Sequence, residues 1–452
     1  MRKISKAERL NTFKEVSLGF SQDEAVEEAK RCLQCRDPSC IRGCPLEIDI
    51  KGFVGSIARR KFKEAIEKIR EKNPLPAICG RVCPQENLCQ ERCVLNKKGE
   101  PIKIGYLERF VADWERENNL RKNFNFIEKR EEKIAVIGSG PAGLSFSFEM
   151  AKKGFKVTLF EALHKAGGVL RYGIPEFRLP KDVLDKEIEY IKNLGIEVIT
   201  DFFVGKTKTI EELKKEGFKL FFLGLGAGSP KFLGIEGENL NQVYSANEFL
   251  VRVNLMKSYL FPQYHTPVKI GRKVGVIGAG NVAFDCARVA LRLKSKVFII
   301  YRRGELEMPA RKEEIENAKE EGVEFIFLAT PKKIISDREG NVKGMVCLRN
   351  ELKEEDETGR RVPFPVEGSD FLVDLDTVII AIGTQANPLI KEIIPDIDLT
   401  DKGFVKVNEY FQTSVSYIFA GGDIVSGNAT VINAIYQAKK AVFFAQRFLN
   451  NV

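Results

Sequence analysis

The sequence predicts an α/β protein: a helical segment at the N-terminus, then two strand–turn–helix–strand units of the Rossmann type. Three observations carry this. Eight of the ten cysteines crowd between Cys32 and Cys93, within Lys/Glu-rich sequence of helical character. From Lys133 the texture changes to apolar runs broken by glycine turns, beginning IAVIGSGPAGLSFSFEMAKKGFKVTLFE. The same unit then recurs from Lys273 as VGVIGAGNVAFDCARVALRLKSKVFIIYRR, and repetition of one supersecondary unit marks two dinucleotide-type folds.

In chain order, Ser21 with Glu24 forms a capping box that opens a helix running into Cys32. Phe53 to Lys72 has apolar residues at helical spacing, which predicts one helix. VDLDTVIIAIG, Val373 to Gly383, and YIFAGGD, Tyr417 to Asp423, read as late strands ahead of a closing helix from about Thr430. The resulting division is 1–130, a helical cysteine domain; 131–268, the first nucleotide unit; 269–376, the second; and 377–452, completing the first. No Pro/Gly/Ser linker separates these parts, so packed domains are expected.

With 452 residues, 44% of them hydrophobic, the chain can bury large cores. No run of about 18 apolar residues appears, and MRKISKAERLNTF lacks the apolar stretch of a secretory signal, so the expectation is a cytoplasmic protein without membrane or nucleic-acid partners. The net charge of +9 comes from 72 basic and 63 acidic residues mixed along the chain, only a weak pointer to phosphate-bearing ligands.

The cysteines form two runs: Cys32, Cys35, Cys40 and Cys44, followed by Pro45, and Cys79, Cys83, Cys89 and Cys93. Clustering without a secretory signal points to metal rather than disulfides. Zinc usually takes two separated pairs. Four cysteines in thirteen residues ending in Cys-Pro instead resemble the ferredoxin-type run, in which the fourth cysteine serves the neighbouring cluster. Two interleaved 4Fe-4S clusters are the reading. Structural zinc and buried free thiols are the alternatives. Cys286, inside a helix, and Cys347, in a strand-like run, read as core residues.

In the first unit Gly138, Gly140 and Gly143 make the G-x-G-x-x-G turn, with Ser139 and Ala142 inside it, where backbone N–H groups and a helix N-terminus approach a pyrophosphate. Glu161 closes the next strand 23 positions after Gly138, where a carboxylate accepts hydrogen bonds from a ribose. The second unit keeps Gly278 and Gly280, leads its helix with Asn281 and Val282, and has Ala283 as third small residue. Position 23 after Gly278 is Tyr301, followed by Arg302 and Arg303. Paired guanidinium groups there suit a 2′-phosphate and replace the acid that selects NAD. Arg311, in MPARKE, is a further candidate for that phosphate. An acid in one unit and arginines in the other predict FAD in the first and NADPH in the second. Asp423, ahead of the closing helix, is placed to bind ribityl hydroxyls, with that helix N-terminus facing the flavin ring.

With these pieces in order, residues 20–452 resemble the small (β) subunit of NADPH-dependent glutamate synthase. Its relatives include the NADPH-binding subunit of electron-bifurcating ferredoxin:NADP oxidoreductase, sulfide dehydrogenase and the N-terminal half of dihydropyrimidine dehydrogenase. The matching stretches are RCLQC, GCPLEIDI, ICGRVCPQENLC, IGYLERFVADW, GGVLRYGIPEFRLPK, GNVAFDCAR, YRRGELEMPA and AGGDIVSGNATVINAI. The resemblance implies that Cys32, Cys35, Cys40 and Cys93 hold one cluster and Cys44, Cys83 and Cys89 the other, with Glu108 instead of Cys79 as its fourth ligand. It also implies FAD contacts from Gly168 to Arg178, in GLGAG around Gly226, and at Thr430, and a second unit inserted in the first. Gly383, ending VIIAIG, falls where the chain returns to the flavin site.

Hydride passing from nicotinamide to flavin needs no side-chain acid or base, so no catalytic residue is assigned. His164 and His265, the only histidines, belong to no triad-like pattern. The expected partner is a second redox subunit, either a glutamate synthase large subunit or a ferredoxin-reductase-like small subunit, with ferredoxin and self-association as further possibilities. The rival from another class is a zinc-stabilised, non-enzymatic nucleotide-binding redox sensor.

Overall fold

The computed structural model describes residues 2–121, 129–357, 359–427 and 429–450. Asn428, in the AGGDIVSGNATVINAI stretch, and 122–128, at the end of the first expected domain, lie outside them.

Helix α1 (Gln22–Lys30) starts at the Ser21–Glu24 capping box as its sequence dictates. The single helix expected over 53–72 is two, α2 (Ile50–Ala58) and α3 (Phe62–Arg70). The break falls at Arg60, whose φ of +58° no helix accommodates, while the apolar spacing carries on across it. Then come α4 (Pro76–Val82), carrying Cys79, and α5 (Ile104–Glu117), carrying Glu108.

The first unit follows as β1 (Lys133–Ile137), α6 (Pro141–Lys152), β2 (Lys156–Phe160), α7 (Lys181–Lys192), β3 (Glu197–Ile199) and β4 (Phe218–Leu223). The second comprises β5 (Val243–Ser245), β6 (Lys273–Ile277), α8 (Asn281–Arg292), β7 (Lys296–Tyr301), α9 (Lys312–Glu321) and β8 (Glu324–Phe327). It continues through an antiparallel layer, β9 (Ala329–Ser336), β10 (Val342–Glu355), β11 (Arg361–Pro365) and β12 (Phe371–Asp374), to β13 (Thr377–Ile380). The chain ends with β14 (Ile418–Ala420) and the long helix α10 (Val431–Leu449).

Both main sheets are parallel, ordered β14-β4-β1-β2-β3 and β5-β13-β6-β7-β8. The second-sheet order corrects two expected boundaries. β5 lies before residue 269 and β13 after 376, yet both pair within the second sheet, Val378 with Val243 and with Gly275. The crossings between units instead run side by side, where Ser229–Pro230 and Thr384–Gln385 form a two-stranded antiparallel ladder. The expected strand from Val373 to Gly383 is accordingly interrupted: β12 belongs to the antiparallel layer and β13 to the parallel sheet.

One apolar core runs from the N-terminal helices through α6 and the first sheet to α10. The second unit has its own core, which also takes Val16 and Phe177 from outside it. Phe177 is 1% exposed, and burying such a ring contributes about 1.5–3 kcal/mol to the docking of the two units. Cys286 and Cys347 are fully buried, as core residues should be. No helix among the described residues is long and apolar enough to cross a membrane.

Candidate cofactor sites

Cys32, Cys35, Cys40 and Cys93 line one cavity, walled by Val54, Ile102 and Ile104. Cys32 follows α1 directly and Cys93 arrives from the far end of the second run, so the grouping crosses the two runs. Burial, with Cys93 and Cys32 as like-charged neighbours, pushes the Cys40 thiol up to about 11. A metal's positive charge would offset the repulsion that four such sulfurs meet on deprotonation. All four are only half-buried.

The other set is deeper. Cys44, Cys83 and Cys89 are buried, and Glu108 on α5 is 6% exposed. After burial itself, Cys83, Cys44, Glu108 and Cys40 are the neighbours that push the Cys89 thiol up, so these groups lie near one another. Burial also raises the Glu108 carboxyl to about 8, opposed only by a hydrogen bond from Asn73. Asn73, in the Asn-Pro step before α4, touches both candidates for fourth ligand. Its Nδ2 donates to Glu108 Oε1 at 2.8 Å, while its Oδ1 accepts from Leu75 N at 2.9 Å and faces Cys79 Sγ at 3.9 Å. Asn73 thus contacts both candidates, the Cys79 thiol through its carbonyl oxygen and one Glu108 oxygen through its amide nitrogen. Sequence reasoning missed Asn73; an Asn-Pro step six residues before Cys79 was the available signal, and the structure buries Asn73 fully. Among the described residues no three His, Cys, Asp or Glu side chains converge on a point that would hold one ion.

In the first turn, Ser139 and Glu161 are buried together. The Ser139 backbone N–H donates to Glu161 Oε2 at 3.0 Å, the Ser139 hydroxyl donates to the same oxygen, and Leu163 N donates to Oε1 at 2.9 Å. Glu161 is thus held in place at the end of β2. The glycines divide by cause. A Cβ at Gly143 would meet the Gly138 carbonyl at 1.9 Å, so backbone packing demands glycine there. A Cβ on Gly140 meets nothing closer than 4.0 Å, which leaves an open cradle over the N-terminus of α6. Gly168 closes against Gly140, and Gly226 borders open space. Ala142 lies on the buried face of α6.

Asp423 follows β14 and accepts from Ala429 N at 3.0 Å; burial raises its carboxyl to about 6. Thr430 is the N-cap of α10, its hydroxyl accepting from Asn433 N at 3.3 Å. Both stand on the first sheet's side, with the α10 N-terminus opening there. Arg178 does not join them. Its guanidinium forms a buried pair with Asp285 on α8 at 2.7 Å and with Glu314 on α9 at 3.2 Å, so it ties the units together and is not free for a flavin.

In the second turn Gly278 has φ +121°, and its Cβ would strike the Ala381 carbonyl at 2.4 Å; Gly280 faces open space. Asn281 starts α8, and Val282 is 43% exposed. Tyr301 is sealed inward, its hydroxyl donating to the Glu307 carbonyl at 2.8 Å. Arg302 is exposed, but Arg303 is buried, donating to Asp356 at 2.6 Å and to the Arg361 carbonyl at 2.8 Å. The expected arginine pair is therefore one available guanidinium and one structural one. Arg311 is also spent, on Glu86 at 3.1 Å and the Arg81 carbonyl at 3.0 Å in the cysteine domain. Gly383 sits at the return crossing, its carbonyl accepting from Lys231 N at 3.1 Å.

Residues 9–120 match the domain described as dihydropyrimidine dehydrogenase domain II, 4Fe-4S cluster, and residues 132–438 match the pyridine nucleotide-disulphide oxidoreductase family. The glutamate synthase [NADPH] small chain of Halomonas elongata is 35% identical over 96% of this chain and 92% of its own length. The chain belongs to the glutamate synthase small-chain family. A further relative in the group, the NADP(+)-dependent formate dehydrogenase subunit beta of Moorella thermoacetica, is 36% identical over 91% of this chain, which spans 60% of that protein's length. Among solved structures, FprA of Mycobacterium tuberculosis in complex with NADPH shares the fold, with a TM-score of 0.60 at 21% identity over 71% of this chain and 85% of that one. The small-chain family thus joins a 4Fe-4S domain to a pyridine-nucleotide oxidoreductase fold, the order found here.

Proposed function

We propose that this chain takes electrons from NADPH onto FAD and relays them through two 4Fe-4S clusters to a partner redox subunit, or runs the same path in reverse. The observation that carries the reading is the gradation of the cysteine pockets, from the buried Cys44, Cys83, Cys89 and Glu108 to the half-exposed Cys32, Cys35, Cys40 and Cys93. A path that begins in the interior and ends near the surface suits delivery to another protein. When bound, the flavin supplies the conversion between two-electron and one-electron transfer.

The chain's own groups bind and orient. Glu161, oriented by Ser139, accepts from a ribose. The open faces at Gly140 and Gly280 admit pyrophosphates. Arg302 receives the 2′-phosphate. Asp423 takes flavin hydroxyls, and the α10 N-terminus, capped by Thr430, turns its positive end to the ring. The three buried cysteines with Glu108 hold one cluster, and Cys93 crosses to complete the other.

The relatives' names favour a multi-subunit setting, with a glutamate synthase large subunit as the first choice of partner. Anaerobically purified protein should contain close to eight irons and one FAD per chain, and should reduce an artificial acceptor with NADPH. Zinc without iron would end the reading. Glutamate formation from glutamine and 2-oxoglutarate should require the added partner; a chain that performs it alone would refute the relay role. Co-purification of a ferredoxin-reductase-like subunit would replace the large subunit as partner.

A further inference from the structure

Arg311 belongs to the second nucleotide unit but spends its guanidinium in the cysteine domain. Its backbone N–H donates to Asn281 Oδ1 at 3.0 Å, which fastens it to the glycine turn. From there the side chain reaches the segment that carries Cys83: Nη1 donates to the Arg81 carbonyl at 3.0 Å, Nε pairs with Glu86 at 3.1 Å, and Nη2 approaches Gln85 Oε1 at 3.5 Å. Gln85 in turn donates to the Cys79 carbonyl at 3.0 Å. The guanidinium is 8% exposed, so its charge is weakly screened. Glu86, Glu313 and Glu314 face it as acids, and Arg178 as a second cation.

We infer that Arg311 sets the reduction potential of the buried cluster, so that docking of the second nucleotide unit completes that cluster's electrostatics. This rests on the cluster assignment proposed above. Reduction adds one negative charge to the cluster, and a buried positive charge beside its cysteine loop favours the reduced form; Glu86, tethered to the same guanidinium, acts in the opposite sense. Arg311 is a positioning residue, since it touches the loop and not the metal.

The test is a redox titration of the whole chain followed by electron paramagnetic resonance, with iron content measured on each sample. Arg311→Met should lower the midpoint of the buried cluster, shifting the oxidised-to-reduced ratio at fixed potential by about tenfold, or ~59 mV for one electron. Arg311→Lys should recover most of that shift. Glu86→Gln should move the midpoint upward. If Arg311→Met fails to hold iron, Glu86→Gln decides: an unchanged or lowered midpoint in that variant overturns the inference. Wild-type midpoints in both variants, with iron retained, overturn it as well. Absence of any cluster signal in the wild-type protein refutes the cluster assignment itself, a distinct result.

Discussion

The two nucleotide units share a register to the residue. Lys133 pairs with Lys156 and Lys273 with Lys296, so in both the partner strand lies 23 positions on. Each turn then leads into a helix of twelve residues. The difference lies in what stands at the end of the second strand. In the first unit Glu161 is held ready by Ser139; in the second Tyr301 is turned inward and Arg302 is left free. On the reading proposed above, the shared backbone makes a phosphate cradle and one side chain at the strand end selects the nucleotide.

The strongest way to break the parallel is at the third small residue. Gly143→Val would drive carbon into the Gly138 carbonyl and should abolish folding of the first unit, seen as loss of its cooperative melting transition. Ala283 at the matching place already carries a Cβ, and Ala283→Gly should cost only about 1 kcal/mol. Next in size are Gly140→Val and Gly280→Val, whose side chains enter open space. Both proteins should stay folded, the first losing FAD by absorption and the second losing NADPH binding while keeping FAD. Loss of both cofactors in either variant would contradict two separate cradles.

Arg302→Ala should raise KM for NADPH about tenfold or more and leave KM for NADH nearly unchanged, since a hydrogen bond to a charged group is worth about 1.5–3 kcal/mol. Equal losses for both nucleotides would remove the phosphate role. The smallest effect is expected of Arg303→Ala. It should leave the preference for NADPH intact and cost about 1 kcal/mol of stability through the partly exposed Asp356 pair.

The turns were legible in the sequence because strand, glycine triplet and helix are local, and the residue that closes the next strand keeps a fixed spacing from them. Contacts across the chain were not. Arg178 and Arg311 sit in glycine- and proline-marked loops that read as ligand loops, yet the side chains opposite them, Asp285 and Glu86, lie 107 and 225 positions away. Nor does spacing alone move Cys93 to the first run, since both runs have similar intervals; the resemblance to a family suggested it, and the shared cavity groups the same four. The strand at Val243–Ser245 escaped notice because three residues carry no period, and its pairing with β13 displaces the expected boundary.

The N-terminal arm has a consequence for how the molecule is made. Arg9 bonds Glu320, Thr12 accepts from Arg292, Phe13 packs on Tyr259 at 4.0 Å between ring centres, and Val16 N donates to the Phe177 carbonyl. Each partner leaves the ribosome long after the arm itself, by about 300 residues for Arg9. The contacts of Arg9 and Thr12 must therefore wait until α8 and α9 exist, and their closure is a late step of high contact order. Fastening thus runs against the direction of synthesis: Arg9 and Thr12 find Glu320 and Arg292 only after most of the chain between them has followed.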